Sequence, residues 1–294
     1  MHHPRPALQH LRASHEIISP FLAYNGLTLS ISCILLWALR YYALTPLTIR
    51  IYGERYTKLE PKKQHSMVNH MVAAISKIVL LITAAYPFAS VIANKDLHAP
   101  YAPSFKGSLT MGDVLVVVSQ AFCAMYIFEL IYRIEVSYIS AAHHVGAVVI
   151  AQSAMVIGFD PAHKSDANIE FVLCLIWGAF DVAAELYPHI AMLIYRQDPA
   201  NYQRNAKIMH ALAVGEAAST LIETIVVMTL FGSLWQQWTL VFKVVTPILH
   251  VLFSVAQLHG ARIFWGMYLH FDACHREGQG RMEREEEREG ESKV

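Results

Sequence analysis

Two adjacent histidines, His143 and His144, stand near the start of an apolar run within the segment 133–158. A neutral imidazole has both a lone pair and an N–H near physiological pH, so a histidine at the mouth of a membrane span can bind a ligand, take up a proton or attack an electrophile. Neighbouring residues on a helix point about 100° apart, so at most one ring faces a given target. We expect the other ring to bind a carbonyl or a carboxylate and to orient the first. A purely structural pair near the membrane interface is the alternative.

Carboxylates that can serve these histidines recur at helical spacing before and after them. Glu129 follows Tyr126 by three residues, so the two side chains share one face of a helix. Asp181 and Glu185 are four residues apart and share a face in the same way. The candidate catalytic residues are therefore His143, His144, Glu129, Asp181 and Glu185.

Composition indicates that these residues lie in a membrane protein. Of the 294 residues, 55% are hydrophobic, and the mean hydropathy is positive. The apolar runs reach the length of about 20 residues that a helix needs to cross a bilayer. We predict an all-α fold, a polytopic transmembrane bundle of about seven spans. The predicted spans are 21–47, 67–93, 113–132, 139–158, 169–195, 208–234 and 238–270.

The chain divides into four regions by composition. Residues 1–20 form a polar, histidine-rich arm that is more typical of a mobile segment than of a metal site, and no cleavable signal peptide is apparent. Residues 21–66 contain the first span and a basic loop, and residues 67–271 contain the remaining spans. Residues 272–294 are an alternating acidic and basic tail, which predicts disorder or a solvated helix.

Several classes of protein are disfavoured. The net charge is zero, so no nucleic-acid partner is expected. Cys33, Cys123 and Cys174 fall in apolar spans, which disfavours a disulfide framework or a zinc site. A single histidine pair is too few for a diiron oxygenase, and we predict no metal site and no bound cofactor. Lys243 lacks the preceding aspartate expected beside a retinal-binding lysine.

Polar side chains also recur in the later spans. A charge at the middle of a bilayer costs at least about 2.5 kcal/mol, so these groups must face one another, a cavity or a polar ligand. A polar cavity is favoured, and the alternative is a set of interhelical ion pairs, for instance between Lys243 and Glu223. The candidate substrate-binding residues are Tyr126, Glu216, Glu223, Lys243, His250 and Gln257.

The distribution of basic residues predicts the orientation. The loops after spans one, three and five, together with the tail, hold most of the lysines and arginines. By the positive-inside bias, the N-terminus is lumenal and the C-terminus is cytosolic. His143 and His144 then lie one or two helical turns into the membrane from the cytosolic face.

Four short segments, spread over about two-thirds of the chain, resemble the TLC domain. This is the membrane domain shared by ceramide synthases and translocon-associated TRAM proteins. The similar segments are Asn69-His70 at the start of a span, AMYIFEL at 124–130, AHHVGAVVI at 142–150 and AELYPHI at 184–190. Glu129 stands where the family usually has aspartate, and Tyr187 replaces a small hydroxyl residue. The polar signature of ceramide synthases around the histidine pair is not present.

In enzymatic members, the resemblance implies N-acylation of a long-chain base by acyl-CoA, with the histidine pair in the catalytic centre. We therefore expect an integral membrane protein of the endoplasmic reticulum that binds or processes a membrane lipid. If it is an enzyme, it is an acyltransferase that acts on a sphingoid base or a similar amine lipid, with acyl-CoA as co-substrate. The alternatives are a non-enzymatic lipid sensor, carrier or trafficking factor, and a chaperone-like helper at the translocon. A homo-oligomer is compatible with the sequence.

Overall fold

The fold is known from a computed structural model of the 294-residue chain. The structure describes residues 18–93, 95–102, 109–134, 136–157 and 164–291, with the side chains of 164–167, 237 and 282–291 excepted. The predicted mobile arm lies almost wholly outside the described residues, as do residues 159–163 between the predicted spans 139–158 and 169–195.

The described residues form helices and no β-strand. A 3-10 turn at Pro20–Tyr24 precedes the first α-helix, and a π-helical segment at Leu39–Leu44 joins the first α-helix to the second. The α-helices are α1 (Asn25–Ala38), α2 (Thr45–Tyr52), α3 (Glu54–Thr57), α4 (Pro61–Ile92), α5 (Met111–Tyr132), α6 (Tyr138–Ile157), α7 (Lys164–Gln197), α8 (Tyr202–Ser233) and α9 (Leu240–Glu291).

Six helical stretches in the described part of the chain are long and apolar enough to cross a membrane. They are Pro20–Tyr52, α4, α5, α6, α8 and the part of α9 at Leu240–Arg281. This confirms the predicted all-α class and indicates an integral membrane protein. The remaining long helix, α7, has 34 residues and covers the predicted span 169–195. It packs against α4, α6 and α8, and it carries Asp181 and Glu185.

Local signals outside the apolar runs set where the helices begin and end. α4 begins at Pro61, six residues before the predicted span, because proline is favoured in the first turn of a helix. Thr110 and Asp113 form a capping box that starts α5, in which each side chain accepts a hydrogen bond from the other residue's backbone N–H. At the other end of the chain, α9 continues through the charged tail to Glu291.

One end of the bundle is held together by the entry to the first span. The hydroxyl of Ser19 donates to Asp113, and Ile18 and Leu97 are buried against the start of α5. Gly112 is required there, because an added Cβ would lie 2.4 Å from the carbonyl oxygen of Ile18.

The opposite end contains the chain segments 53–60, 133–134, 136–137 and 198–201. Lys62, Lys63, Arg196 and Arg204 flank these segments, and we call it the basic end. The guanidinium of Arg196 donates to the carbonyl of Lys63 and, at 2.9 Å, to the hydroxyl of Ser66. Arg55 donates to the carbonyl of Gln197 at 3.0 Å. These contacts tie the start of α4 to the end of α7, so the two basic loops predicted to share a side lie together.

Candidate functional site

The centre of the candidate site is Lys77 of α4, whose side chain is 0% exposed. Its Nζ lies 2.9 Å from Oε2 of Glu185 and 3.7 Å from Oε1 of Glu129. The ammonium also lies 5.2 Å from the ring centroid of Tyr126. A buried charge is stable only when it is paired and hydrogen-bonded. Lys77 therefore holds α5 and α7 together through their carboxylates.

His143 of α6 forms a hydrogen-bonded pair with Asp181 of α7. Its Nε2 lies 3.0 Å from Oδ1 of Asp181, and both side chains are less than one-tenth exposed. The hydroxyl of Tyr126 donates to the other oxygen of Asp181, and it also lies 3.2 Å from Oε2 of Glu185. A carboxylate that accepts the Nε2–H leaves the lone pair of the imidazole on Nδ1. No hydrogen-bond partner among the described residues reaches that buried Nδ1 atom.

His144 faces a different carboxylate. Its Nε2 lies 3.5 Å from Oε2 of Glu129, and its ring stacks on Tyr126 with centroids 4.2 Å apart. The two histidines therefore diverge, as their positions on one helix require. His144 is 2% exposed and is held from two sides, which suits a positioning role.

Close packing of α6 against α9 fixes the direction of His143. Phe253 of α9 lies edge-on to the His143 ring, with centroids 5.1 Å apart. An added Cβ at Gly146 would lie 3.3 Å from the Phe253 ring, so glycine is what allows this approach. The segment His143 to Gly146 thus supplies both the imidazole and the room for the ring that packs against it.

Two more side chains lie near the Glu129 carboxylate, on the side that faces the basic end. Its Oε1 lies 3.8 Å from Nε2 of His189, and its Oε2 lies 4.0 Å from the guanidinium of Arg133. His189 in turn shares a short contact with His70, with the two Nδ1 atoms 2.9 Å apart. One of these two rings must donate its N–H and the other must accept it.

A cavity of about 420 Å³ surrounds these groups. His143, His144 and Glu185 line its interior, while Ser66, Arg133, Ser137 and Arg196 line it near the basic end. A smaller space of about 40 Å³ continues from His143 and Asp181 toward Glu223, Phe253 and Gln257. The site therefore has a polar entrance and a largely buried interior.

The structure brings together most of the residues predicted from sequence. Glu129, His143, His144, Asp181 and Glu185 form one cluster with Tyr126, and Glu216 and Gln257 line the same cavity. Gln257 donates to Glu223 at 2.8 Å, so Glu223 adjoins the site through the smaller space.

Lys243 and His250 lie outside both of these spaces. The ammonium of Lys243 lies 5.0 Å from the ring of Trp235, and not beside Glu223 as the ion-pair alternative required. His250 is buried between Trp177, which donates to its Nδ1 at 3.3 Å, and Thr224, which lies 3.1 Å from its Nε2. Both residues share a helix face with Gln257, but of the three only Gln257 lines the cavity.

Three residues of the cluster were not among the predicted site residues: Lys77, His70 and His189. The available signal was Lys77 itself, since a lysine well inside an apolar run needs an internal partner. His189 follows Glu185 by four residues and so shares its face.

Two groups of side chains have ligand atoms within 4.8 Å of one another and are suited by type to a metal ion. One consists of His143, His144 and Glu185, and the other of Glu129, Glu185 and His189. Lys77 places an ammonium 2.9 Å from Glu185, the carboxylate that both groups share. That positive charge opposes the binding of a cation at either position.

The chain matches no protein-family model, and no curated protein or solved structure is significantly similar to it.

Proposed function

We propose that this protein is a TLC-like membrane protein that transfers an acyl group from acyl-CoA to the amine of a membrane lipid, such as a sphingoid base. The observation that carries the proposal is the Asp181–His143 pair, with its contact of 3.0 Å, inside a cavity with a polar entrance. A fixed carboxylate that orients an imidazole is the arrangement by which enzymes prepare a base or a nucleophile.

In the proposed reaction, the lone pair on Nδ1 of His143 acts either as a base or as a nucleophile. As a base, Nδ1 removes a proton from the amine while the amine nitrogen attacks the thioester carbonyl. The new C–N bond forms, the C–S bond breaks, and the departing thiolate takes up the proton from the imidazole. As an acyl acceptor, Nδ1 first attacks the thioester and releases the thiolate. The amine then displaces the imidazole, and the proton that the amine loses passes through Nδ1 to the thiolate. Asp181 stabilises the charged imidazole in both routes.

The entrance suits a thioester that arrives from the basic end. Arg133 and Arg196 line the cavity there, and cationic side chains attract the phosphates of coenzyme A. The guanidinium of Arg196 is already engaged by Lys63 and Ser66, so Arg133, with a side chain 35% exposed, is the better candidate for this contact.

We propose that the protein has seven spans, the six named above and α7. Asp181 and Glu185 of α7 pair with groups on α4, α5 and α6, so these charges need not face lipid. The N-terminus is then lumenal and the basic end is cytosolic, and the endoplasmic reticulum is the proposed location.

The test is a turnover assay with detergent-purified protein, a long-chain acyl-CoA and a sphingoid base. We expect an N-acyl product from the wild type and from His210→Ala, a control in which an exposed histidine of α8 is removed. We expect His143→Ala to lose the product while its thermal unfolding stays cooperative. Equal product from wild type and His143→Ala would overturn the proposed mechanism.

A lipid sensor or carrier is the second candidate, and the pairing within the cluster favours it. Lys77 neutralises Glu185 at 2.9 Å, and Tyr126 and His143 both bind Asp181. Such a network can hold the helices around a bound lipid without taking part in a reaction. Lipid retained by the purified wild type without any product would support this candidate against acyl transfer.

A further inference from the structure

A second cavity of about 510 Å³ lies between α7 and α8 and is almost entirely apolar. Its walls include Ala183, Ile190, Ala211, Leu212 and Gly215. Tyr187, another wall residue, is 64% exposed, so the cavity is a groove open on the surface of the bundle. On membrane helices this surface faces the acyl chains of the bilayer.

The groove adjoins the histidine cavity and shares part of its wall. Ala184, Pro188 and Glu216 line both spaces. Oε2 of Glu216 is buried and has no hydrogen-bond partner among the described residues. Pro188 has no N–H, so the carbonyl of Ala184 loses its usual helical donor. Two hydrogen-bond acceptors therefore lie at the junction, and the walls of the groove beyond them are almost entirely apolar.

We propose that the groove between α7 and α8 holds a hydrocarbon chain of the lipid whose polar end lies in the histidine cavity. The inference rests on the proposed function in taking that ligand to be a lipid. Polar walls at one end and apolar walls at the other match a molecule with a polar head and one long tail. Gly215 of α8 sets how much of the chain the groove accepts.

Gly215 is suited to test this because a side chain there would enter free space. Gly215 lines the groove and an added Cβ there meets nothing within 4 Å, so we expect the side chain of Gly215→Leu to occupy part of the groove. Gly232 lies on the same helix and is equally open, but it does not line the groove. Leucine is a better helix former than glycine, so both variants are expected to fold.

The experiment is lipid analysis by native mass spectrometry of wild type, Gly215→Leu and Gly232→Leu, each purified in detergent from the same membranes. The probe is the lipid that each protein retains. We expect Gly215→Leu to lose the longest chains that the wild type retains, by about the length of the leucine side chain. We expect Gly232→Leu to match the wild type.

Three results would overturn the proposal that the groove holds a lipid chain. They are unchanged chain lengths in Gly215→Leu, equal changes in both variants, and no lipid retained by the wild type. This test can fail independently of the test of the proposed function, because lipid retention depends on Gly215 and the turnover assay depends on His143. A product that requires His143 with unchanged chain lengths refutes the groove alone. A shift in chain length without any product supports the groove and refutes acyl transfer.

Discussion

Replacing Lys77 by methionine keeps the length of the side chain and removes the charge between Glu129 and Glu185. Lys77 is 0% exposed, so water cannot compensate for the carboxylates left behind. Removing one partner of a buried ion pair costs about 3–5 kcal/mol. For a protein of this size, each kcal/mol lowers Tm by about 2–4 °C, so we expect a decrease of roughly 6–20 °C. Tryptophan fluorescence of the detergent-purified protein during heating measures it.

Lys58 provides the matched control, because its ion pair is shorter but exposed. Its Nζ lies 2.6 Å from Glu54, and the two side chains are 76% and 83% exposed. Exposed pairs on one helix contribute about 0.3–0.5 kcal/mol, so Lys58→Met is expected to shift Tm by about 2 °C or less. Adding Glu185→Gln to Lys77→Met should recover part of the loss. Equal shifts for Lys77→Met and Lys58→Met would refute the reasoning that burial decides the strength of these pairs.

Gly112→Ala places a methyl group 2.4 Å from the carbonyl oxygen of Ile18, and we expect it to cost about 1–3 kcal/mol in the same heating assay. An unchanged Tm would mean that this end of the bundle is loosely packed. Tyr126→Phe removes the phenol that donates to Asp181 and lies beside Glu185, and should cost about 1–3 kcal/mol. A stable variant would contradict the hydrogen bonds assigned to the phenol. Cysteines introduced at the exposed Ala200 and Thr239, in a background without native cysteines, should react from opposite sides of sealed microsomes. Ala200→Cys should be labelled from the cytosolic side, and the reverse pattern would contradict the proposed orientation.

The helices could be predicted from the sequence because apolar runs of about 20 residues have few stable structures other than a membrane-spanning helix. Their ends were less accessible, since they depend on caps and on contacts outside the apolar core. The first turn of α4 is also tied to Arg196 through the carbonyl of Lys63, a contact that links residues 133 positions apart. No local pattern contains that information.

The candidate site was predictable where one helix carried the whole pattern. Asp181 and Glu185 share a face by their spacing, and the structure places both near His143. Lys77 could not be assigned in this way, because periodicity gives the face of a helix and not the helix that it meets. Lys243 shows the same limit of periodicity, since it shares a face with Gln257 but lies 14 residues, or about 21 Å, away along α9. Only the part of that face nearest the basic end reaches the cavity.

The most direct test of the account asks whether His143 and Asp181 act as a unit. The measurement is a double-mutant cycle on N-acyl product formation, with His143→Ala, Asp181→Asn and the double variant. Groups that act through one another are not additive, so we predict that the double variant is no slower than His143→Ala alone. Additive losses, or full activity in His143→Ala, would contradict the assignment of this pair as the reacting centre.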